Sequence, residues 1–263
     1  MTDQHSAIEN YARYPSLVDR TVFVTGGADG IGSAAVQHFA RQGSKVAFVD
    51  INADYARRTI ERCVDAGAVH TPIFYEVDLR DIDALQAACA QAIDDLGGVT
   101  VLVNNAANDD RHSWEDMTVD YWNDRLNVNL RHYFFAIQAM APQMLEAELG
   151  SIVNVGSSSY MMQEDFFPGY AIGKSGVEGI TRTMARTFGP KNVRVNTVLP
   201  GWVPTERQLE KWWSPEGEEG TLNDQALKKR IVPDEFVQMI LFLAADDSGG
   251  CTAQQFMVDG GRF

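Results

Sequence analysis

The sequence has little positive charge, few cysteines and no long apolar segment. Its 22 lysines and arginines are outnumbered by 36 aspartates and glutamates, so the formal net charge is −14. This imbalance disfavours nucleic acid or an anionic membrane as a partner, since both require a basic surface. No apolar run reaches the roughly 18 residues of a membrane helix, and residues 1–20 lack the apolar stretch of a signal peptide.

The three cysteines, Cys63, Cys89 and Cys251, lie far apart in the chain. Their number is odd, and their spacing fits neither a disulfide framework nor a metal site. We therefore predict no bound metal and a reducing, cytoplasmic location. His112 and His132 also lack partners at metal-ligand spacing, which favours structural roles for both.

The chain does contain enough apolar material for one large core. Of its 263 residues, 45% are hydrophobic, and no linker-like stretch, internal repeat or low-complexity run divides them. A chain of this length fits one large α/β domain or two small ones, and the absence of a linker favours one. We predict an N-terminal tail over residues 1–17 and a single domain over residues 18–263.

Short β-branched segments alternate with longer amphipathic ones along the chain. Near-continuous apolar strands joined by helices are typical of a parallel sheet covered on both faces. The pattern predicts a doubly wound, Rossmann-type α/β fold of about seven strands. The predicted strands span 21–25, 45–50, 72–77, 99–103, 151–155, 193–198 and 255–258, and the predicted helices lie near 31–42, 53–66, 81–96, 118–147, 169–188 and 233–245.

A polar segment near 203–230 interrupts this alternation before the last helix. It contains Pro215, two glycines and the adjacent pair Trp212-Trp213. Long insertions of this kind often form a lid over a site. A poorly ordered surface loop is the alternative, but two neighbouring tryptophans need a surface to pack against. We therefore predict a lid.

A glycine-rich turn follows the first predicted strand directly. Gly26, Gly30 and Gly32 allow the backbone to turn tightly and to approach a pyrophosphate. The helix that begins near Ile31 directs its N-terminal N–H groups at the same anion. Because the glycines occur in the required strand–turn–helix context, they predict a dinucleotide site.

The second predicted strand ends in a carboxylate, Asp50, at the distance from the glycines that such sites use. A carboxylate there accepts hydrogen bonds from a ribose diol and repels a 2′-phosphate. Ile51 and Asn52 supply no cation to hold that phosphate. The sequence therefore predicts NAD rather than NADP as the cofactor.

Further polar groups follow the third and fourth predicted strands, at the sheet edge where ligands bind in such folds. Asp78, followed by Leu79, can accept a hydrogen bond from an adenine amino group. Asn105 and Ala106 can line the nucleoside through backbone contacts. These residues extend the predicted cofactor site along the sheet edge.

Ser157, Tyr170 and Lys174 form a candidate proton-transfer set. Tyr170 and Lys174 are four residues apart on a predicted helix and therefore share a face. A free phenol has a pKa of about 10, and a nearby ammonium lowers it, which makes Tyr170 a candidate general base. The Tyr-xxx-Lys spacing alone is a weak signal, but the nucleotide motifs around it strengthen it.

Taken in order, these motifs resemble the short-chain dehydrogenase/reductase family over roughly residues 18–263. The matching elements are Thr25-Gly26-xxx-Gly30-x-Gly32, Asn104-Asn105-Ala106, Asn129, Ser157, Tyr170-xxx-Lys174 and Pro200-Gly201, while Ala107 replaces the family's usual glycine. The resemblance implies that Tyr170 is the catalytic acid/base and that Ser157 hydrogen-bonds the substrate oxygen. Lys174 would lower the pKa of Tyr170 and hold the nicotinamide ribose, and Asn129 would anchor a water that links Lys174 to solvent.

The family resemblance also implies a homo-oligomer, either a tetramer or a dimer.

The complete set of predicted NAD contacts is Gly26, Asp29, Gly30, Ile31, Gly32, Asp50, Ile51, Asp78, Leu79, Asn105, Ala106, Ala107, Tyr170, Lys174, Pro200, Gly201, Val203 and Thr205.

Segments outside the family-wide motifs look like those of bacterial NAD-dependent aldose 1-dehydrogenases of the D-xylose type. They lie within 108–112, 121–132, 207–218 and 230–233 and are rich in charged and aromatic residues. Such residues suit a sugar, whereas a steroid or acyl-chain pocket would be more apolar. A solvated loop or a subunit contact is the alternative for the charged run. The predicted substrate contacts are Asp109, Arg111, Ser157, Gln163, Trp202, Arg207 and Trp212.

We therefore expect NAD-dependent oxidation of an aldose at C1 to the aldonolactone. A pentose or 6-deoxyhexose such as D-xylose, L-arabinose or L-fucose fits this expectation. Two alternatives stay open. The first is an enzyme for another secondary alcohol, such as a polyol, a hydroxysteroid or a 3-hydroxyacyl substrate. The second is a non-catalytic nucleotide-binding protein of the same fold.

Overall fold

The computed structural model describes residues 10–263, so residues 1–9 of the predicted tail lie outside it. Seven parallel strands form one sheet. They are β1 (Thr21–Thr25), β2 (Lys45–Asp50), β3 (Ile73–Glu76), β4 (Val101–Asn104), β5 (Gly150–Val155), β6 (Val193–Pro200) and β7 (Gln255–Val258). Their order across the sheet is β3-β2-β1-β4-β5-β6-β7, which places the reversal of strand order between β1 and β4. Ligands bind at such a reversal, beyond the carboxyl ends of the strands.

Helices connect the strands and cover both faces of the sheet. They are α1 (Gly30–Arg41), α2 (Ala53–Asp65), α3 (Ile82–Leu96), α4 (Val119–Leu126), α5 (His132–Ala147), α6 (Pro168–Phe188), α7 (Glu206–Lys211), α8 (Pro215–Asp224) and α9 (Pro233–Ala244). A π-helical segment, Asn127–Arg131, joins α4 to α5, and short 3-10 turns occur at Pro15–Leu17, Gly189–Lys191 and Asp246–Ser248. None of the helices within residues 10–263 is long and apolar enough to cross a membrane.

Two apolar layers sandwich the sheet because alternate strand residues point to opposite faces. Val22 and Val24 of β1 belong to the layer formed with α1, α2 and α9, whereas Phe23 belongs to the layer formed with α3, α5 and α6. Leu17, just before β1, is fully buried in the first layer. The predicted doubly wound α/β fold is confirmed.

Two segments differ from a simple strand–helix alternation. The helix predicted over 118–147 consists of α4, the π-helical segment and α5 in succession. The polar segment near 203–230 is ordered into α7 and α8, and its N-caps are the Thr205 and Ser214 hydroxyls. The remaining predicted strands and helices are present, with ends displaced by at most two residues.

Candidate active site

A cleft of about 890 Å³ opens at the carboxyl ends of the strands. Its lining begins at the glycine turn after β1 and passes Asp50, Asp78 and the loop after β4. It then reaches Ser157, Tyr170 and Lys174 and is bounded by α7 and α8. The fold therefore brings most of the predicted site residues into one continuous space.

The glycine turn has no room for side chains where its backbone segments approach one another most closely. Gly26 has a φ of 68°, a left-handed conformation that favours glycine. A Cβ at Gly32 would lie 1.8 Å from the carbonyl oxygen of Gly26. Gly32 therefore sits behind the turn and allows α1 to approach it, without lining the cleft. Asp29 caps α1 by accepting a hydrogen bond from Gly30 N at 2.7 Å.

Asp50 joins the turn to the second strand. Its carboxylate accepts hydrogen bonds from the backbone N–H of Ala28 and of Asn52, each at 3.0 Å. Burial raises the pKa of Asp50, although the backbone N–H groups oppose the rise and the nearby Asp29 carboxylate adds to it. An open turn at a helix N-terminus, next to a carboxylate that lines the cleft, fits the pyrophosphate and ribose of a dinucleotide.

Asp78 is already paired in this structure. Its carboxylate accepts hydrogen bonds from Arg80, with Nη2 and Oδ2 2.8 Å apart, and this contact lowers the pKa of Asp78. Both side chains line the cleft beside Leu79. Loop residues Asn105, Ala106 and Ala107 lie opposite the glycine turn, where Asn105 Nδ2 donates to Gly26 O at 3.0 Å.

The proton-transfer set lies at the other end of the cleft. Ser157 follows β5, Tyr170 lies in the first turn of α6, and Lys174 follows one turn later. Only 2% of Lys174 is exposed. Its Nζ donates hydrogen bonds to Tyr133 Oη and to Val155 O, each at 2.7 Å, and lies 5.8 Å from the centre of the Tyr170 ring.

The electrostatics of this set differ from the prediction in one respect. Burial raises the pKa of Tyr170, and the Ser157 hydroxyl opposes the rise only in part. Burial also lowers the pKa of Lys174 to about 7, against the attraction of Asp109. The expected lowering of the Tyr170 pKa by Lys174 is therefore absent here, because the Lys174 amine is directed towards Tyr133 and Val155.

Asn129 lies behind the cleft, in the π-helical segment. Its Oδ1 accepts from Asn108 N at 2.8 Å, and its Nδ2 donates to Asn108 O at 3.0 Å. Both the acceptor oxygen and the donor nitrogen of the Asn129 amide therefore hold the loop after β4. A water between Asn129, Lys174 and solvent stays a prediction.

The end of the cleft that is predicted to bind the substrate is formed by the loop after β4 and by the lid. Arg207 of α7 donates to Asp110 Oδ1 at 2.7 Å and contacts Asp109 at 3.4 Å. Gln208 also donates to Asp109, and Lys211 lies 3.3 Å from Asp110. These polar contacts fasten α7 to the loop after β4.

Arg111 occupies the space between two aromatic rings. Its guanidinium lies 4.4 Å from the centre of the Phe166 ring and 4.8 Å from that of Trp212, within the range of cation–π attraction. Across residues 10–263 its N–H groups meet no hydrogen-bond acceptor, and the side chain lines the cleft together with Trp202. Arg111 is therefore available to a polar ligand.

The structure places one predicted substrate contact outside the cleft. Gln163 is exposed and lies outside the cleft lining, because the chain turns at this residue with a φ of 59°. Its neighbour Glu164 lines the cleft instead and lies 3.4 Å from Arg262, which also contacts Asp224 of α8 at 3.2 Å. No local spacing connects Glu164 and Arg262, which lie far apart in the chain, so sequence patterns contain no signal for this pair.

The two histidines hold the loop after β4 in place. His112 Nε2 accepts a hydrogen bond from Gly169 N, at the start of α6, at 3.1 Å. His132 is fully buried, and its Nε2 lies 3.1 Å from both Ala106 O and Val128 O. These contacts agree with the structural roles predicted for both.

The doubly wound sheet, the glycine turn and the serine, tyrosine and lysine at one cleft define a nucleotide-dependent oxidoreductase. Comparison with known proteins identifies the family within this class. The family profile described as "Enoyl-(Acyl carrier protein) reductase" matches residues 26–262. The chain belongs to the short-chain dehydrogenase/reductase family, and it is an oxidoreductase that acts on CH–OH groups with a nicotinamide cofactor.

Two relatives are sugar dehydrogenases by name. A protein named "Probable galactose dehydrogenase GalD" from Rhizobium meliloti is 45% identical over 252 residues, which cover 96% of this chain and 98% of the relative. The D-xylose 1-dehydrogenase of Caulobacter vibrioides is 45% identical over 250 residues, covering 95% and 98%.

Solved structures agree on the fold. A 3-oxoacyl-[acyl-carrier protein] reductase from Brucella melitensis with bound NAD is 32% identical, with a TM-score of 0.84 and coverage of 94% of this chain and 92% of that one. A short-chain dehydrogenase/reductase from Serratia marcescens is 31% identical, with a TM-score of 0.86 and coverage of 94% and 99%.

Proposed function

We propose that the protein oxidises an aldose, a pentose or 6-deoxyhexose, at C1 with NAD and forms the aldonolactone. The observation that carries the proposal is the polar end of the cleft, where Asp109, Glu164, Arg111 and Trp212 line the same space as Tyr170. Carboxylates and a guanidinium suit vicinal hydroxyls, and an aromatic ring suits the C–H face of a sugar. The names of the two 45% identical relatives support the same substrate class.

In the proposed reaction Tyr170, as phenolate, removes the proton of the anomeric hydroxyl, and Ser157 hydrogen-bonds the same oxygen. The bound cofactor supplies an acceptor for the C1 hydride. Loss of one proton and one hydride leaves the lactone carbonyl at C1. Because burial raises the pKa of Tyr170, its phenolate needs a nearby cation. Lys174 binds Tyr133 and Val155 in this structure, so the proposal requires its charge to act on the phenolate through space, with Nζ 5.8 Å from the centre of the Tyr170 ring.

The preference for NAD is part of the proposal. Asp50 and Asp29 place two carboxylates beside the predicted ribose site, close enough for Asp29 to raise the pKa of Asp50. A 2′-phosphate there would meet both negative charges. Ile51 and Asn52 also line the cleft and offer it no positive charge.

A substrate panel tests the proposal. Pentoses, 6-deoxyhexoses, polyols, hydroxysteroids and 3-hydroxyacyl thioesters are each assayed for reduction of NAD and of NADP. We expect the highest kcat/KM for an aldose with NAD. A polyol, steroid or thioester as the best substrate would replace the sugar, and cofactor binding without any turnover would favour the non-catalytic alternative.

The general base has its own test. Tyr170→Phe removes the proton acceptor, so kcat is expected to fall by about 10²-fold or more, the usual size of acid–base catalysis. Tyr75→Phe is the matched control, because Tyr75 loses a hydroxyl that binds Asp95 outside the cleft. Near-normal turnover by Tyr170→Phe would exclude Tyr170 as the base.

A homo-oligomer belongs to the same proposal. Phe134 of α5 and Ile172 of α6 are 39% and 44% exposed, and apolar groups exposed on neighbouring helices suit a subunit contact. Light scattering of the purified protein should give a dimer or tetramer mass. A monomer mass would refute this part.

A further inference from the structure

A buried tyrosine lies against Lys174 on the side opposite the cleft. Tyr133, in the first turn of α5, has no exposed surface. Its Oη accepts a hydrogen bond from Lys174 Nζ at 2.7 Å and donates one to Val155 O at 2.8 Å. Lys174 Nζ donates to the same carbonyl at 2.7 Å. The phenol, the amine and the carbonyl thus form a closed triangle of hydrogen bonds.

The helix packing brings these groups together. Asn129 and Tyr133 are four residues apart, as are Tyr170 and Lys174 on the facing helix α6. Gly173 of α6 packs against Asn129, where an added Cβ would come within 3.0 Å of the Asn129 Cβ. Because α6 has a glycine at this contact, the π-helical segment approaches closely enough for Tyr133 to reach Lys174.

The direction of each hydrogen bond in the triangle is fixed. A phenol has one proton, and Tyr133 donates it to Val155 O. The Tyr133 oxygen can therefore act towards Lys174 only as a hydrogen-bond acceptor. An ammonium has three N–H donors, of which two bind Tyr133 and Val155, and Lys174 lines the cleft. The third donor is left for a group in the cleft.

We propose that Tyr133 is a positioning residue that holds the Lys174 ammonium on the carbonyl of Val155 and stabilises its positive charge, leaving one N–H for the cleft. A buried charge without acceptors is costly, and Tyr133 supplies one of the two acceptors that Lys174 has within residues 10–263. The sequence motifs of the site do not include this residue.

The other titratable groups around Lys174 leave this role to Tyr133. His132 stays neutral, because burial and the nearby Lys174 lower its pKa to about 3. Tyr133 itself stays a phenol, because burial raises its pKa well above the ordinary value. Burial lowers the pKa of Lys174 to about 7, and the Asp109 carboxylate, which favours the ammonium, opposes this fall only in part. Tyr170 faces Lys174 with its ring.

Direct titration of Lys174 tests the proposal in Tyr133→Phe, which keeps the ring and removes the acceptor. The chain has only six lysines, so carbon-13 labelling at lysine Cε gives few NMR signals, and the signal lost in Lys174→Arg is that of Lys174. We expect its pKa to fall by about one pH unit in Tyr133→Phe, from the usual strength of a hydrogen bond to a charged group. Tyr75→Phe should leave it unchanged.

The result of this titration decides the proposal. An unchanged Lys174 pKa in folded Tyr133→Phe would overturn the proposal. If that variant does not fold, Tyr133→Met takes its place, since methionine fills the space flexibly and binds an ammonium poorly. The titration needs neither cofactor nor sugar, so it can succeed even where the proposed sugar oxidation fails.

A consequence for activity rests on the proposed function. A less charged Lys174 stabilises the Tyr170 phenolate less, so the low-pH limb of kcat/KM should move to higher pH by up to about one unit in Tyr133→Phe. A purely structural role would instead lower the melting temperature and reduce kcat equally at every pH. An unmoved limb together with uniformly reduced kcat would refute the positioning role.

Discussion

Asp50 supports the backbone and also has a proposed role at the cofactor. It accepts hydrogen bonds from Ala28 N and Asn52 N while its carboxylate lines the cleft. Substitution by alanine therefore removes two effects at once, the charge that opposes a 2′-phosphate and the acceptor that orders the turn. Asparagine also removes the charge but keeps one of the two acceptor oxygens, so it loses less of the backbone support than alanine does.

We expect Asp50→Asn to narrow the NAD preference by about tenfold in the ratio of kcat/KM values, because one repulsive charge at close range is removed. Asp50→Ala should narrow it too, and should also lower the melting temperature. Steady-state kinetics with both cofactors and thermal denaturation check this. A wild-type preference for NADP would contradict the role given to Asp50.

Residues fixed by local geometry could be predicted from the sequence, and residues brought together by the fold could not. Gly26, Asp50 and the Tyr170–Lys174 pair each lie at a spacing that a turn, a strand end or a helix imposes. Glu164 and Arg262 are 98 residues apart. Tyr133 lies four residues after Asn129. This spacing is present in the sequence, but only the packing against α6 shows why it matters.

At the scale of elements, the lid is held to the body largely by polar side chains. Arg207 and Lys211 of α7 both reach Asp110, at 2.7 and 3.3 Å. Partly exposed ion pairs of this kind contribute about 0.2–1 kcal/mol each. An element fastened so weakly can open to admit a ligand and close over it.

Asp110→Asn should therefore loosen the lid. The loss of two weak ion pairs predicts a several-fold faster amide hydrogen exchange over residues 206–224, which mass spectrometry measures. Asp54→Asn is the matched control, because Asp54 pairs with Arg57 on the surface of α2 and the lid should not respond to it. Unchanged exchange in Asp110→Asn would show that other contacts hold the lid.

The sequence predicted the lid as a segment but not its two helices. The signals were present, since Thr205 and Ser214 are N-cap residues and Pro215 occupies the first position of α8. The π-helical segment had no such signal. It packs closely against Gly173 and Gly176 of α6, and a local pattern does not contain such contacts.

At the scale of the whole molecule, burial of Lys174 affects the stability of the fold. The pKa of Lys174 is about 7 in the folded protein and 10.5 for a free lysine. Between these values the unfolded chain binds a proton that the folded chain lacks, so the free energy of unfolding rises with pH. The slope from this group is at most about 1.4 kcal/mol per pH unit.

Lys174→Met should lose this dependence. Chemical denaturation between pH 7 and 10 is expected to show the wild-type free energy of unfolding rising relative to that of the variant. Lys191→Met, which replaces a lysine that is 56% exposed, should follow the wild type. Parallel curves for wild type and Lys174→Met would mean that Lys174 keeps an ordinary pKa in the folded protein.

The π-helical segment makes the chain length between α4 and α5 critical. In a surface loop, the in-frame loss of one codon is often tolerated. Within Asn127–Arg131 the same event would restore regular α-helical winding, and each residue of an α-helix advances the face by about 100°. Loss of one residue would therefore turn α4 by about 100° relative to α5. The two helices could then no longer both keep their present faces against the protein, so insertions and deletions should be selected against here more strongly than most substitutions.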